Sequence, residues 1–369
     1  MKLGFLSFLL LMAINVLTAQ KDFHTISLLP NKTESAENVD FYISGIVDNR
    51  VYKDHVGIAQ KGMLNRKVQA QFEQPFEEEL LAYLNTVFPP EASKKPLILR
   101  INQLLISENT GAFKETGTAT VNLDVLIYLN NEYNYLGSFA SEAEKNSMDV
   151  TGKHDDRIRA ILKECLMEFD SLPNKYEAKK VVTLERPEVA NILTESPGTG
   201  YYFSFNELYN NEPVQDTAVS IKPKDENLFR VEDAKGKPAP YYGFFDGTDF
   251  YLNAQNYSGD RHFVKAQKVN DFLLFNDIFI NQDKVSGLGL AFGIIGVLAS
   301  NERSNTLLDL NTGKFIVLTH KRVKLLLEKD YPEYYERYTK YENNPILVRG
   351  ILEQVINEKG YEYIINTAI

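Results

Sequence analysis

Histidines, cysteines and paired carboxylates build most catalytic and metal sites, and in this chain they are few and scattered. The histidines never occur at the spacing of a metal-binding motif, and each stands beside charged or turn residues. We therefore expect them at the solvated surface, with a metal site assembled from distant loops as the alternative. The histidines are His24, His55, His154, His262 and His320.

The longer catalytic motifs are also missing from the sequence. It contains no Gly-x-Ser-x-Gly turn, no phosphate-binding loop ending in Gly-Lys-Ser/Thr, and no His-Glu-x-x-His zinc motif. The sequence therefore assigns no catalytic, cofactor-binding or metal-ligating residue and indicates no cofactor.

Cys165 is the single cysteine, so the chain cannot form an internal disulfide. It falls on the apolar side of a predicted helix, where a thiol usually packs as a small hydrophobic side chain. A catalytic thiol would need an activating base nearby, and the sequence offers none. We expect Cys165 to be buried.

Two carboxylates, Asp246 and Asp249, lie across the segment Asp246-Gly247-Thr248-Asp249. Such a loop can bind calcium or a substrate, but Asp-Gly also supplies the positive φ angle of a hairpin turn. The flanking residues alternate as strands, and no fuller series of oxygen ligands follows. These features favour the hairpin.

Residues 285–299 form an uncharged, glycine-rich segment in which Gly289 and Gly293 make a Gly-x-x-x-Gly step. In lipid, this spacing lets two helices approach closely. However, the uncharged stretch has only 17 residues, 285–301, with charged residues on both sides, which is short for a membrane span. The glycine spacing also misses that of a dinucleotide-binding loop. We expect a buried core segment; contact with a membrane or a second copy is the alternative.

The composition sets the broad class of protein. A length of 369 residues suffices for two domains, and 44% hydrophobic with 24% charged residues is typical of a globular chain. The net charge of −10 disfavours nonspecific binding to nucleic acid or to an anionic lipid surface.

Residues 1–19 predict a secretory signal peptide. Lys2 precedes an apolar run, which ends at Thr18-Ala19 and is followed by polar Lys21-Asp22. The run is shorter than the roughly 20 residues of a spanning helix. We therefore expect export to the periplasm or outer envelope, with secretion as the alternative.

Residues 20–172 predict a first domain with the order β-α-β-β-β-α. A strand over 41–47 precedes a helix that Pro75 opens, and Asn130-Asn131-Glu132 reads as the turn of a hairpin. This order predicts an α+β fold in which two helices cover one face of a mixed or antiparallel sheet. The remaining predicted strands and helix span 97–106, 118–129, 133–144 and 158–172.

Residues 173–198 are polar, contain three prolines and predict a linker. Residues 199–369 predict a β-rich domain that ends in a few helices, the first capped by Thr319 and the last stopping at Gly360. Tyrosines gather on one side of the helix over 332–341; packing is favoured, and a binding platform is the alternative. The predicted strands span 201–205, 219–222, 228–232, 241–245, 250–253, 263–269, 272–275, 307–310 and 314–318. The tyrosines are Tyr331, Tyr334, Tyr335, Tyr338 and Tyr341.

Two stretches resemble known groups of proteins. Residues 46–50 (IVDNR) at a strand end, with residues 97–101 (LILRI) and the hairpin, resemble small periplasmic lipoproteins that assist envelope transport and assembly. Those proteins carry a lipidated cysteine after the signal peptide, which this chain lacks. Residues 201–213 (YYFSFNELYNNEP), 242–247 (YGFFDG) and 310–313 (LNTG) are similar to exported proteins of unknown role in Gram-negative bacteria. The second resemblance implies export from the cytoplasm but no particular activity.

The sequence thus predicts a two-domain α+β envelope protein that acts in binding or assembly, without catalysis. Its partner would be a protein or another envelope component. The sequence indicates neither the identity of this partner nor the oligomeric state. The alternative is an exported hydrolase whose site is built from scattered polar loop residues. An acid cluster with a perturbed pKa in a deep cleft would favour the hydrolase, and a shallow apolar patch would favour assembly.

Overall fold

The structure is a computed structural model that describes most of the chain after residue 22. The described residues are 23–29, 36, 38–61, 66–110, 115–147, 150–215, 220–225, 227–232, 236, 241–257, 262–278, 303–328, 331–342 and 344–368. The predicted signal peptide (1–19) and the glycine-rich segment (285–299) lie outside these residues, so both stay predictions.

The first sheet is mixed, as the sequence predicts. Its strands are β2 (Phe41–Asp48), β5 (Lys95–Thr110), β6 (Glu115–Leu129), β7 (Glu132–Ser147) and β8 (Lys180–Val182). They lie in the order β2-β5-β6-β7-β8, with β2 and β5 parallel and the other pairs antiparallel. Asn130 and Asn131, with φ of 55° and 65°, form the turn between β6 and β7.

Helices α1 (Phe76–Val87) and α2 (His154–Ser171) cover the same face of the first sheet. Their apolar side chains recur every three to four residues, which gives each helix one apolar stripe. These stripes form a single core with the inward residues of β5 and β6, among them Leu123 and Val125. Cys165 is fully buried there, which confirms its predicted packing role.

A small sheet lies beside the first one. It consists of β1 (His24–Ile26), β3 (Ile58–Lys61) and β4 (Arg66–Phe72), in the order β1-β4-β3. Gly57 bridges it to Ile106 of β5, with a φ of 116°. A Cβ on Gly57 would lie 2.1 Å from the Ile106 carbonyl oxygen, so this junction requires glycine.

The second unit is rich in β-structure. Its strands are β9 (Gly200–Tyr202), β10 (Ser220–Asp225), β11 (Leu228–Glu232), β12 (Gly243–Phe245), β13 (Phe250–Asn253), β14 (Phe263–Val269), β15 (Phe272–Ile278), β16 (Arg303–Asp309) and β17 (Phe315–Leu318). The main sheet has the order β17-β16-β15-β14-β13-β12-β9, with β10 and β11 attached through β14. The chain is therefore α+β with a β-rich body, as predicted.

The connection between the units contributes to both. β8 pairs with β7 of the first sheet, whereas α3 (Asn191–Thr194) places Ile192 in the core of the second unit. The predicted boundary at residues 173–198 stays a prediction for proteolysis to test.

One predicted strand is wrong in part. The sequence predicts an extended segment over 201–205, but β9 ends at Tyr202 and helix α4 (Phe205–Asn210) begins three residues later. The Ser204 hydroxyl accepts a hydrogen bond from the Glu207 amide at 3.3 Å, and a Glu207 carboxylate oxygen accepts one from the Phe203 amide at 2.5 Å. Ser-x-x-Glu is a helix-start pattern, and it outweighs the β-propensity of the preceding aromatics.

The C-terminal helices pack against the second sheet and are α5 (His320–Glu328), α6 (Pro332–Tyr341) and α7 (Pro345–Ala368). Thr319 caps α5 by accepting a hydrogen bond from the Arg322 amide, as predicted. The predicted stop at Gly360 is confirmed: its non-helical φ of 74° ends the first of the two helical segments that make up α7. No helix in the described ranges is both long and apolar enough to cross a membrane.

Candidate functional site: a polar cleft between the two units

The first sheet has a second face, opposite α1 and α2, that is polar and also buried. On β6 this face carries Thr120, Asn122 and Asp124, which are exposed by at most 6%. Residues of the neighbouring strand β5 contact the second unit. Gln103 of β5 donates a hydrogen bond to Asn256 at 3.0 Å, and Asn206 donates one to Asn102 of β5 at 3.4 Å. The second unit therefore covers a polar surface.

A cleft opens where α4 meets this polar face, and we call it the polar cleft. It has a volume of about 290 Å³ and continues along the connection as a second lobe of about 300 Å³. Both volumes approach those of ordinary small-ligand sites. The polar cleft is lined by Arg100, Asn102, Asp124, Tyr135, Ser138, Lys180, Asn206, Glu207, Asn210, Glu212, Pro213 and Val214.

Asp124 is the centre of a hydrogen-bonded chain at the floor of the cleft. Two guanidinium nitrogens of Arg100 contact one of its carboxylate oxygens at 2.8 Å, and Ser138 donates a hydrogen bond to the other. Tyr135 donates in turn to the Ser138 hydroxyl at 3.0 Å. Each of these polar side chains is therefore held in place by its neighbour.

Glu207 lines the cleft from the first turn of α4. Burial raises the pKa of its carboxyl to about 8, against the hydrogen bond from the Phe203 amide, and the negative charges of Asp124 and Glu212 add to the rise. The side chain is half-buried and so still reaches the cleft. At neutral pH, Glu207 is therefore mostly protonated and can donate a hydrogen bond.

The charged side chains of the cleft other than Glu207 are paired with each other. Arg100 pairs with Asp124, and Lys180 pairs with Glu212 at 2.6 Å. Asn210 lines both lobes, and its buried carboxamide oxygen has no hydrogen-bond partner among the described residues. With Glu207 protonated, the lining is close to neutral overall.

The predicted surface location of the histidines is wrong for three of them. His154 accepts or donates at 2.7 Å with Glu108, His262 does so at 2.7 Å with Asp277, and a ring nitrogen of His55 accepts from the Gly57 amide. All three are exposed by 7% or less, whereas His24 is half-buried and His320 is exposed. The partners of His154 and His262 are distant in sequence, so the local composition could not reveal their burial. Burial lowers the pKa of His154 even though Glu108 opposes it.

The other sequence candidates take structural roles. Asp246 caps the predicted hairpin: one of its oxygens accepts hydrogen bonds at 2.8 Å from the amides of Thr248 and Asp249, and Gly247 has a φ of 99°. Burial raises the pKa of the Cys165 thiol and so disfavours the reactive thiolate. Within the residues the structure describes, no three His, Cys, Asp or Glu side chains gather as metal ligands do.

The tyrosines of α6 mostly pack, as the sequence favours. Tyr331 and Tyr338 are buried, and Tyr334 and Tyr335 are partly buried against the same core. Tyr341 remains 38% exposed.

Sequence reasoning missed every residue of the polar cleft. The signal for Glu207 was present in the Ser204-x-x-Glu207 pattern, but that pattern indicates a helix start rather than a binding site. Arg100, Asp124 and Ser138 occur on alternating strands, where polar residues normally face water. Only their burial in the folded protein distinguishes these three residues from ordinary polar residues on a solvent-facing strand.

The fold and the cleft define an α+β protein with a polar site where α4 meets the outer face of the first sheet. Residues 200–349 match a family of unknown function (DUF6563). The match includes the α4 side of the polar cleft, with Glu207 and Asn210, but not the first sheet with Arg100 and Asp124. No curated protein and no solved structure matches the chain.

Proposed function

We propose that this protein is an exported binding protein of the cell envelope that holds an uncharged polar ligand in the polar cleft without catalysis. The observation that carries the proposal is that charges in the cleft are paired with each other while hydrogen-bonding groups remain for a ligand. Export rests on the signal-peptide pattern of residues 1–19.

The charges of the cleft argue for an uncharged ligand. A charged group entering a desolvated site needs a countercharge, and Arg100 and Lys180 already have carboxylate partners. A ligand with hydroxyl or amide groups would instead accept a hydrogen bond from protonated Glu207, next to the side chain of Asn210. Such hydrogen bonds replace the ones that the ligand makes with water before it binds. Because the ligand is uncharged, its binding buries no unpaired charge.

A second candidate function, an exported hydrolase, is favoured by the raised pKa of Glu207 beside Asp124. Two carboxyl groups whose environments separate their proton affinities are the usual acid and base of hydrolysis. However, both oxygens of Asp124 are engaged, one by Arg100 and one by Ser138. An acceptor held in this way is a poor base or nucleophile, so the geometry supports binding better.

Binding can be tested by calorimetry on the mature protein with matched neutral and charged probes. The probes are N-acetylglucosamine, glucosamine and glucuronate at pH 7. We expect the neutral probe to bind most tightly, and Glu207→Gln, which keeps a donor, to bind it better than Glu207→Ala. Glu328→Gln, on the exposed side of α5, is the control and should leave affinity unchanged.

Two results would contradict the proposal. Tighter binding of a charged probe would overturn the neutral-ligand assignment. Release of product from a p-nitrophenyl glycoside or ester by the wild type, lost in Glu207→Gln, would favour the hydrolase.

A further inference from the structure

We infer that the polar cleft continues into a line of tyrosine rings, and that its ligand is a neutral oligosaccharide chain lying along this line. The inference rests on the proposed function and specifies its ligand class. We call Tyr135, Tyr133 and Tyr128 the tyrosine track.

The pairing of β6 with β7 places the tyrosine track on the same face as the cleft. Asp124 lies opposite Ser138, Leu126 opposite Tyr135, and Tyr128 opposite Tyr133. Paired residues share a face, and so do residues two apart on one strand. From Asp124 to Tyr128 the chain advances by four residues, roughly 13 Å at the rise of a strand. The face therefore changes from polar floor to aromatic rings toward the hairpin tip.

The outer rings of the track are available to a ligand. Tyr128 is 49% exposed, and its ring centroid lies 4.8 Å from that of Tyr133. Tyr135 is half-buried at the cleft itself, with the Lys180 ammonium 5.4 Å from its ring. An aromatic face beside hydroxyl and amide groups suits a ligand with both C–H and O–H surfaces, which is the chemistry of a sugar ring.

A peptide ligand fits this surface less well. Extended peptides usually bind by adding a strand to a free sheet edge. Next to the track, the edge of β7 is occupied by β8, which pairs Tyr133 with Val182 and Tyr135 with Lys180. The surface that remains is the face of the sheet, where side chains rather than backbone groups make the contacts.

The experiment compares chain lengths of one sugar on defined variants. Affinities for N-acetylglucosamine and for its β-1,4-linked hexamer are measured by calorimetry on the mature wild type, Tyr128→Leu, Tyr128→Phe and Tyr341→Leu. Tyr341→Leu is the matched control, because Tyr341 is also an exposed tyrosine but lies on α6. Thermal unfolding of each variant checks that the hairpin is intact.

We expect the hexamer to bind more tightly than the monomer. Tyr128→Leu should weaken only the hexamer, about three- to tenfold, the effect of losing one ring contact. Tyr128→Phe should bind as the wild type does, and so should Tyr341→Leu. Equal affinities for hexamer and monomer, or equal effects of Tyr128→Leu and Tyr341→Leu, would show that the tyrosine track does not bind the ligand. The polar cleft would then remain the only proposed binding site.

The remaining outcomes separate this inference from the proposed function. If the neutral amide N-acetyl-alanine-methylamide binds in a Glu207-dependent manner but no saccharide does, the oligosaccharide assignment is wrong and the proposed function stands. If neither the saccharides nor this amide bind, both are wrong.

Discussion

Along the middle of β6, the first sheet buries both of its faces, but against different chemistry. On β6, Leu123 and Val125 point to the helices and join an apolar core, whereas Asn122 and Asp124 point to the second unit. The apolar face needs only matching volume, since dispersion and the hydrophobic effect have little directionality. The polar face needs a hydrogen-bond partner for each group. The first face holds the fold together, and the second supports a site.

The largest effect should come from the apolar face. Leu123→Ala removes a fully buried side chain and leaves a cavity between β6 and the helices. We expect the free energy of unfolding to fall by about 2–5 kcal/mol in urea denaturation. A loss below about 1 kcal/mol, the range of surface substitutions, would show that this face is not packed as described.

A smaller loss should follow on the polar face. Asp124→Asn keeps the volume but removes the charge that pairs with Arg100, and we expect a loss of about 1.5–3 kcal/mol, the range for hydrogen bonds to charged groups. Asp249→Asn is the matched control: Asp249 pairs with Lys265 near the surface, and its loss should cost at most about 1 kcal/mol. If both variants lost the same free energy of unfolding, the buried pair of Asp124 and Arg100 would contribute no more than the exposed pair of Asp249 and Lys265.

A third effect concerns the pH dependence that Glu207 adds to the polar face. Its folded pKa of about 8 exceeds the ordinary value of 4.5, so the folded state keeps a proton that the unfolded state loses between these values. The stabilisation is complete below about pH 4.5 and is lost as pH rises through 8. Glu207→Gln cannot titrate, so its unfolding free energy should decline less than that of the wild type between pH 5 and 8. The linkage relation sets the upper limit of this difference at about 3.5 kcal/mol, and water screening at this half-buried group reduces it.

Parallel chemical denaturation at several pH values measures this difference. Glu328→Gln should keep the wild-type slope, because Glu328 is exposed on α5. A Glu207→Gln profile that runs parallel to the wild type would mean that Glu207 is not held protonated, and the donor role in the cleft would fail with it.

Much of the fold could be predicted because its signals are local. The alternation on β6, the Asn130-Asn131 turn and the apolar stripe of α2 each lie within a few residues, and the structure confirms all three. The predicted strand over 201–205 is wrong in part because two local signals compete there: the aromatic residues favour a strand, whereas Ser204-x-x-Glu207 starts a helix.

The candidate site could not be predicted, because each of its groups gains its property from a distant partner. Asp124 is unremarkable until Arg100 and the second unit enclose it, and Glu207 is an ordinary capping residue until burial raises its pKa. The buried pair of His154 and Glu108, 46 residues apart, shows the same limit.

The sequence by itself determined which residues alternate, where helices begin and which chain segments turn, because backbone preference and apolar periodicity act over short distances. It also determined that Cys165 would pack in the core. Only the tertiary structure decided that the outer face of the first sheet is covered along the middle of β6, and therefore which polar residues lose water. The desolvation of a side chain depends on which residues pack against it. Asp124 and Glu207 are desolvated only because the second unit packs against the first sheet.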